Sequence, residues 1–458
     1  MIDRLVHMLA RWLDRRTGLA RFARRALNHV FPDHWSFMIG EIAFYSFIIL
    51  VITGTFLAMF YHSSSAKVIY HGSYRALDGV QISAAYQSVL RISFDVPAGL
   101  LIRQMHHWAA LIFVAAIVAH VARIFFTAAY RRPRELTWMV GVTLLILALA
   151  NGFFGYSIGG DLLSGAGLRI GYAISLSVPV IGRWIAFLLL GGDIPNPLTV
   201  PRLYSLHIFL IPAAIAMLLA LHLGLVWRQM HTNFPGPGRT NRTIVGSRLW
   251  PAYAAKSLGL FCLLFALLAF LGGLVQIDPV WIYGPYDPSA ILPGAQPDWY
   301  LGWVEGAMRL FPAVKLRSTY LVPDLFFPAV LLPSLLFIGL YFYPFFDKLI
   351  SGDVSHRPYN VLLLPYEQPF NTALGCATFM FLLVLFFGGS DDIIAVAAGS
   401  SVVMIRTVLR VLALALPPVT FVLVFLLCRR IRRRRRAVSD VPAATTDGAS
   451  EEVVRHSR

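Results

Sequence analysis

Apolar residues in this chain fall into eight long blocks, at approximately 37–61, 101–126, 137–157, 203–227, 254–275, 322–345, 369–388 and 403–428, with polar and turn-forming residues between them. A hydrocarbon core of about 30 Å takes roughly 20 helical residues to cross, so each block predicts one membrane-spanning helix. The pattern predicts an all-α polytopic membrane protein. An amphipathic stretch over 1–35 precedes the first span, 36–230 holds four spans that predict a bundle, 231–430 holds four more, and 431–458 is a basic and then polar tail. From Val438 onward, Ser, Ala, Thr and Glu dominate, too few apolar side chains to fold, which predicts disorder.

Charge sets the expected orientation. Arg11, Arg15, Arg16, Arg21, Arg24 and Arg25 precede the first span, with no short cleavable signal sequence visible. Arg123, Arg131, Arg132 and Arg134 follow the second span, Arg228, Arg239, Arg242 and Arg248 the fourth, and Arg429 to Arg436 the eighth. Cationic residues cluster on the cytoplasmic side of bacterial membrane proteins, and all four clusters fall on one predicted face. Both termini are therefore expected in the cytoplasm of a bacterial plasma membrane. A net charge of +16 would suggest nucleic acid in a soluble protein, but with 57% hydrophobic residues and cations gathered at span ends, anionic lipid explains it and nucleic acid is not expected. Cys262, Cys376 and Cys428 lie far apart, without the spacing of a disulfide framework, a thiolate metal site or a thioether-linked haem. The connections 158–202 and 276–321 fall on the opposite face, and their mixture of Gly, Pro and apolar residues predicts short helices in the interface.

The second span carries His106 and His120, 14 residues apart, and the fourth His207 and His222, 15 apart. Ionisable groups at membrane depth are costly and usually functional. At 1.5 Å and about 100° per residue, these spacings give ~21–22 Å of separation and angular offsets of ~40–60°, so each pair occupies one broad helix face. Both spans run in the same direction, which pairs His106 with His207 near the outer face and His120 with His222 near the cytoplasm. A lone buried histidine commonly makes an interhelical hydrogen bond, but four at matched depths fit that reading poorly. A zinc or non-haem iron site needs clustered ligands, usually with a carboxylate, which these helices lack near the histidines. Two haems, each held by one histidine from each helix, fit better. Gly40 and Gly54 on the first span, and Gly141 and Gly155 on the third, repeat the 14-residue interval at matching depths, where a macrocycle needs a flat wall. Arg103 and Arg202, near the outer ligands, are placed to pair with propionates, with interfacial anchoring as the simpler alternative. His107 follows a ligand directly, points elsewhere and is left out of the ligand set.

These residues resemble the cytochrome b subunit of quinol:cytochrome c oxidoreductases. The likeness runs from about Trp35 to Cys428. It includes Thr53-Gly54-Thr55-Phe56-Leu57-Ala58-Met59, the set Arg103, His106, His120 and Arg123, Gly155-Tyr156, the set Arg202, His207 and His222, and Pro297-Asp298-Trp299-Tyr300, which is similar to the family's Pro-Glu-Trp-Tyr signature. The Asp variant and the 15-residue histidine interval look like the actinobacterial branch, which typically uses menaquinol. The resemblance implies two non-covalent b haems, quinol oxidation near the outer face, and electrons divided between a Rieske iron–sulfur subunit and the haem pair leading to quinone on the cytoplasmic side. It also implies a c-type cytochrome subunit and a homodimer, and it leaves open whether a terminal oxidase joins the complex. Asp298 is then the proton acceptor, Tyr300, Tyr156, Gly167 and Pro297 belong to the oxidation pocket, and Trp299 is structural. For quinone reduction the resemblance marks Lys256, but the acidic residue that often follows is Ser257. Trp227 stands where mitochondrial members have histidine, which leaves His231, Lys256 or water for proton delivery. The turn Ile158-Gly159-Gly160-Asp161 lacks the family's usual proline, which predicts a looser turn beneath the oxidation pocket. A haem-b membrane anchor of another quinone-linked oxidoreductase is the alternative, but such anchors are generally shorter and lack the 297–300 motif. A proton-coupled transporter would call for broken helices in an inverted repeat.

Overall fold

Uninterrupted apolar runs that no lipid can hydrogen-bond must satisfy their backbone internally, and helices do so. The computed structural model describes residues 2–290, 296–312, 323–352, 355 and 357–439. Within them, eight helices are long and apolar enough to cross a membrane: α1 (Trp35–Ala58), α2 (Gly99–Phe126), α3 (Glu135–Ser157), α4 (Thr199–Gln229), α5 (Leu249–Leu274), α6 (Phe327–Ser351), α7 (Pro369–Gly389) and α8 (Val402–Ala437). The protein is an all-α polytopic membrane protein. Seven of the helices lie close to the blocks read from the sequence. The exception, α6, sits about one turn later, stopped by Gly352, whose φ of +65° closes a helix at little steric cost. Helix α8 carries on through the arginines beyond Cys428. The polar tail lies outside the described residues from 440 onward.

Helix α2 packs against α1, α3 and α5, α3 against α4 and α6, and α7 against α8. The core where α1 to α3 meet is built from Ala43, Phe113, Val114, Ile117, Leu145 and Ala148, and Tyr300 reaches into it from the loop after α5. Residues Ile2–Thr17 and Leu19–Leu27 form two helices with Leu5, Leu9, Trp12 and Phe22 exposed beside the arginines, the composition of helices that lie on a membrane surface. The connection after α3 holds helices Leu162–Ser177 and Gly182–Leu190, and the one after α5 holds Val280–Tyr283 and Gly302–Leu310. Sequence reading passed over the connection between α1 and α2, where strands Lys67–Ile69 and Gln81–Ser83 pair antiparallel ahead of helix Ala84–Phe94. Tyr86 of that helix donates to the Val280 carbonyl at 2.9 Å and ties it to the loop after α5.

The turn after α3 is not loose. Asp161, 1% exposed, caps the following helix by accepting from the Leu163 and Ser164 amides at 3.1 and 3.2 Å. Leu162 N donates to the Gly284 carbonyl and Tyr286 N to that of Gly160, each at 3.0 Å, so the turn is stitched to the loop after α5. Gly160, at φ +75° against Tyr86, supplies the left-handed residue. An N-cap carboxylate and two cross-loop bonds stand in for the proline.

Among the last helices, Asp391 is fully buried between Arg309 at 2.7 Å and Arg406 at 2.8 Å, and Arg309 also reaches Glu305 at 2.5 Å. Removing one member of a buried ionic group leaves its partners uncompensated. Asp391→Ala is expected to cost about 3–5 kcal/mol, read as a drop in thermal unfolding temperature in detergent. An unchanged transition would mean that water solvates this cluster.

Candidate functional site

The four histidines meet in pairs. The imidazole centroids of His106 (α2) and His207 (α4) are 6.2 Å apart with planes at 80°, and those of His120 (α2) and His222 (α4) are 6.5 Å apart at 70°. Two imidazoles on opposite sides of one metal, with metal–nitrogen bonds of ~2.0–2.1 Å and centroids ~1.1 Å behind the nitrogens, sit ~6.2–6.4 Å apart, so both pairs match axial ligation. The unequal intervals are reconciled locally: Leu206–Leu210, which contains His207, is a turn of π-helix. Such a turn absorbs one extra residue, so 15 residues on α4 cover the helical path that 14 cover on α2.

Each glycine read from the sequence faces one of these rings. A Cβ at Gly40 would lie 3.1 Å from His120, at Gly54 3.1 Å from His106 and at Gly141 3.4 Å from His222, while one at Gly155 would run into His207. Alanine at 155 is therefore expected to displace the His207 ring, at about 1–3 kcal/mol, and to lower the haem-to-chain ratio. Gly259→Ala faces open space and leaves that ratio unchanged.

The outer rings are oriented by acceptors. His106 Nδ1 lies 2.9 Å from Thr53 Oγ1, whose own hydrogen goes to the Ile49 carbonyl at 2.7 Å, and His207 Nδ1 lies 3.0 Å from the Asn151 carbonyl. A proton held on Nδ1 leaves Nε2 free to bind iron. His120 and His222 have no Nδ1 partner of ordinary hydrogen-bond geometry.

An outer cavity of about 180 Å³ is lined by His106, His207, Gly54, Gly155, Arg103, His107, Tyr156, Asp161, Asp278, Asp298 and Tyr300. Arg103 donates to the Asp278 carbonyl at 3.3–3.4 Å, and its buried Nε has no partner. An inner cavity of about 370 Å³ is lined by His120, His222, Gly40, Gly141, Arg123, His231 and Glu41. Arg123 lies 4.5 Å over the Phe37 ring, again with a buried, unpartnered Nε. Unused guanidinium donors at both cavities fit anionic groups such as propionates. Arg202 serves differently: it donates to the Phe187 and Leu188 carbonyls and does not line the outer cavity, which suits the anchoring alternative.

From the 297–300 motif, Asp298 and Tyr300 line the outer cavity, whereas Pro297 and Trp299 do not, and Trp299 is exposed. The Asp298 carboxylate is 2.8 Å from His107 Nε2 and accepts from the Tyr300 hydroxyl at 2.9 Å. Burial pushes Asp298 upward, but the His107 hydrogen bond and charge and the Tyr300 hydroxyl outweigh it and hold the carboxyl below its ordinary value. Burial and the Asp298 charge drive Tyr300 far above the usual phenol range. Tyr156 lines the cavity with its hydroxyl against Gly167, which is behind it rather than in the lining. Two more carboxylates line the cavity, Asp161, read in the sequence only as part of the turn, and Asp278, not read at all; burial and the nearby Asp278 charge push Asp161 up to about 6. His107 was passed over because adjacency to a ligand argued only against iron binding. One residue further on, about 100° round the helix, its ring meets the motif loop.

At the inner cavity, His231 is in the lining with Nε2 unpartnered, and burial, with His29 and two arginines nearby, lowers it to about 4. Trp227 is outside the lining, stacked on His29 at 4.4 Å, and Lys256 pairs with Asp33 at 2.7 Å on an exposed surface. No group of three or more His, Cys, Asp or Glu side chains converges as a metal-ion site among the described residues.

Fold and site together define a polytopic helical membrane protein with two histidine-paired cavities stacked along one bundle. A family model described as cytochrome b(N-terminal)/b6/petB matches residues 111–285. The cytochrome bc1 complex cytochrome b subunit of Mycobacterium tuberculosis is 46% identical over 428 residues, covering 93% of this chain and 77% of that protein. Its counterparts in Corynebacterium diphtheriae (45% over 429 residues, 93% and 78%) and Streptomyces coelicolor (46% over 371 residues, 81% and 68%) are similar. A solved chain described as hyperthermophilic respiratory Complex III shares the fold at a TM-score of 0.65 and 20% identity, over 90% of this chain and 98% of that one. The chain belongs to the cytochrome b subunit family of cytochrome bc1 complexes, a membership that implies haem b and a place in respiratory electron transport.

Proposed function

We propose that this subunit oxidises quinol, in all respects of branch resemblance menaquinol, at the outer cavity and reduces quinone at the inner one, within a quinol:cytochrome c reductase of a bacterial plasma membrane. The observation that carries this reading is that Asp298 and Tyr300 share one enclosure with His106 and His207. His106 with His207, and His120 with His222, hold two b haems, with Gly40, Gly54, Gly141 and Gly155 as their walls and Arg103 and Arg123 for their carboxylates. When bound, the haems supply a one-electron path between the cavities.

Asp298 takes a proton from a quinol hydroxyl, a role its depressed pKa suits because the carboxylate remains ionised and ready to accept. His107 and Tyr300 hold it in place. As pH falls through that lowered value the carboxylate protonates, so the rate of quinol oxidation declines on acidification. Of the two electrons that each quinol gives up, one goes to a Rieske iron–sulfur subunit and on to a c-type cytochrome and the other along the haem path to the inner cavity, in a homodimeric assembly with both chain termini cytoplasmic and a terminal oxidase as further partner. Proton release outside and uptake inside build the gradient.

The test is menaquinol-driven reduction of cytochrome c by the purified complex, with and without its Rieske subunit. Turnover that stops without the subunit supports division of electrons at the outer cavity. Turnover that persists contradicts it.

A further inference from the structure

Turning one quinone into quinol consumes two electrons and two protons, and the protons must reach its oxygens from the side on which it binds. Of the residues expected to deliver them at the inner cavity, His231 stands on its wall, and the other positions supply no donor there. Position 257 is serine, position 227 is tryptophan stacked on His29, and Lys256 is turned to Asp33 at the surface. The cavity nevertheless has a carboxylate. Glu41, on α1, is the one acidic side chain among the described residues that line it.

Its placement follows from the haem cradle. Gly40 turns its bare backbone to His120, and the next residue projects about 100° further round the helix, toward α5. There Tyr253 donates to Glu41 Oε1, and Ser257 donates to Oε2 at 2.5 Å. The Ser257 hydroxyl is also 2.6 Å from that of Tyr45, and Tyr45, Tyr253 and Ser257 all line the same cavity. A hydroxyl at 257 thus grips a carboxylate that comes from another helix. The remaining ionisable groups on the cavity wall are Arg123, Tyr130, Arg134, His120, His222 and His231.

We propose that Glu41 is the residue that protonates quinone at the inner cavity, an assignment that rests on the reading of that cavity as the quinone-reduction site. The carboxyl O–H bond breaks as a quinone O–H bond forms. The two electrons come one each from two quinols oxidised in turn at the outer cavity, and after giving its first proton the carboxylate takes a fresh one from the adjoining aqueous phase and delivers the second.

The experiment uses the intact complex carrying Glu41→Gln or Glu41→Asp, with b haem absorbance followed after a menaquinol pulse and then after addition of a short-chain menaquinone. The quantity read is the rate of haem re-oxidation divided by the rate of its reduction, so a loss of haem or assembly that lowers both does not imitate the effect. Glutamine keeps the shape and one acceptor but cannot donate an acidic proton, and the ratio is expected to fall ~100-fold or more. Aspartate, still an acid, recovers most of it. Infrared difference spectra of quinone reduction should contain a carboxyl C=O band that glutamine removes. A Glu41→Gln ratio within threefold of wild type, with the band retained, overturns the proposal. Failure of added menaquinone to re-oxidise the haem in the wild-type complex, or of a photoreactive quinone to label the inner cavity, sinks the reading of the cavity itself.

Discussion

Alanine in place of His106 is expected to leave the purified chain with one haem where the wild type has two, and to lower quinol oxidation at least 100-fold. In the proposed assignment each haem would take one histidine from α2 and one from α4, so one substitution removes one of two protein ligands at one site and none at the other. Damage should stay local, because Thr53 retains its bond to the Ile49 carbonyl when its imidazole partner is lost. His207→Ala should reproduce the result. His120→Ala and His222→Ala should instead remove the inner haem, leaving quinol able to reach the outer one. A histidine substitution that stripped both haems would mean that the two sites fold as one unit, and one that stripped neither would remove that residue from the ligand set.

Asp298→Asn should slow quinol oxidation ~10²–10⁴-fold, the usual worth of a positioned base, with haem content unchanged. Asparagine can still accept from Tyr300 and meet His107, so the geometry of the loop survives while the proton acceptor does not. The decline of rate on acidification, which in the wild type follows protonation of this carboxylate, should flatten in the variant. Steady-state turnover across pH, with haem measured on the same samples, checks both statements. A variant within a few-fold of wild type would hand the proton to another outer-cavity group, of which Asp161 and Asp278 are the other carboxylates on the wall.

The spans and the histidine pairs were legible because both rest on strong local signals: apolar runs long enough to cross a bilayer, and costly polar groups at repeated depth within them. The four glycines were legible as spacing, and the structure places each one against a particular histidine. What escaped depends on contacts between distant segments. The π turn at Leu206–Leu210 leaves no mark in composition, yet it explains why a 15-residue interval works on α4. His107 joins the site only because the loop after α5 brings Asp298 to it across 191 positions. Arg202 and Lys256 carry the right charge at the right depth, but backbone carbonyls near Phe187 claim the first and Asp33 claims the second. Glu41 carries no signal of its own in the sequence, because its carboxylate meets Ser257 only through the packing of α1 against α5, 216 positions apart. The turn at 158–161 was misread because capping by Asp161 depends on a helix whose start the sequence placed only loosely.

The central claim is that four histidines make two bis-histidine haem sites, one above the other. Haem quantification with a reduced-minus-oxidised spectrum and a potentiometric titration of the purified wild-type protein tests it most directly. Two b-type haems per chain, titrating as two components, are predicted. One haem or none per chain would contradict the account.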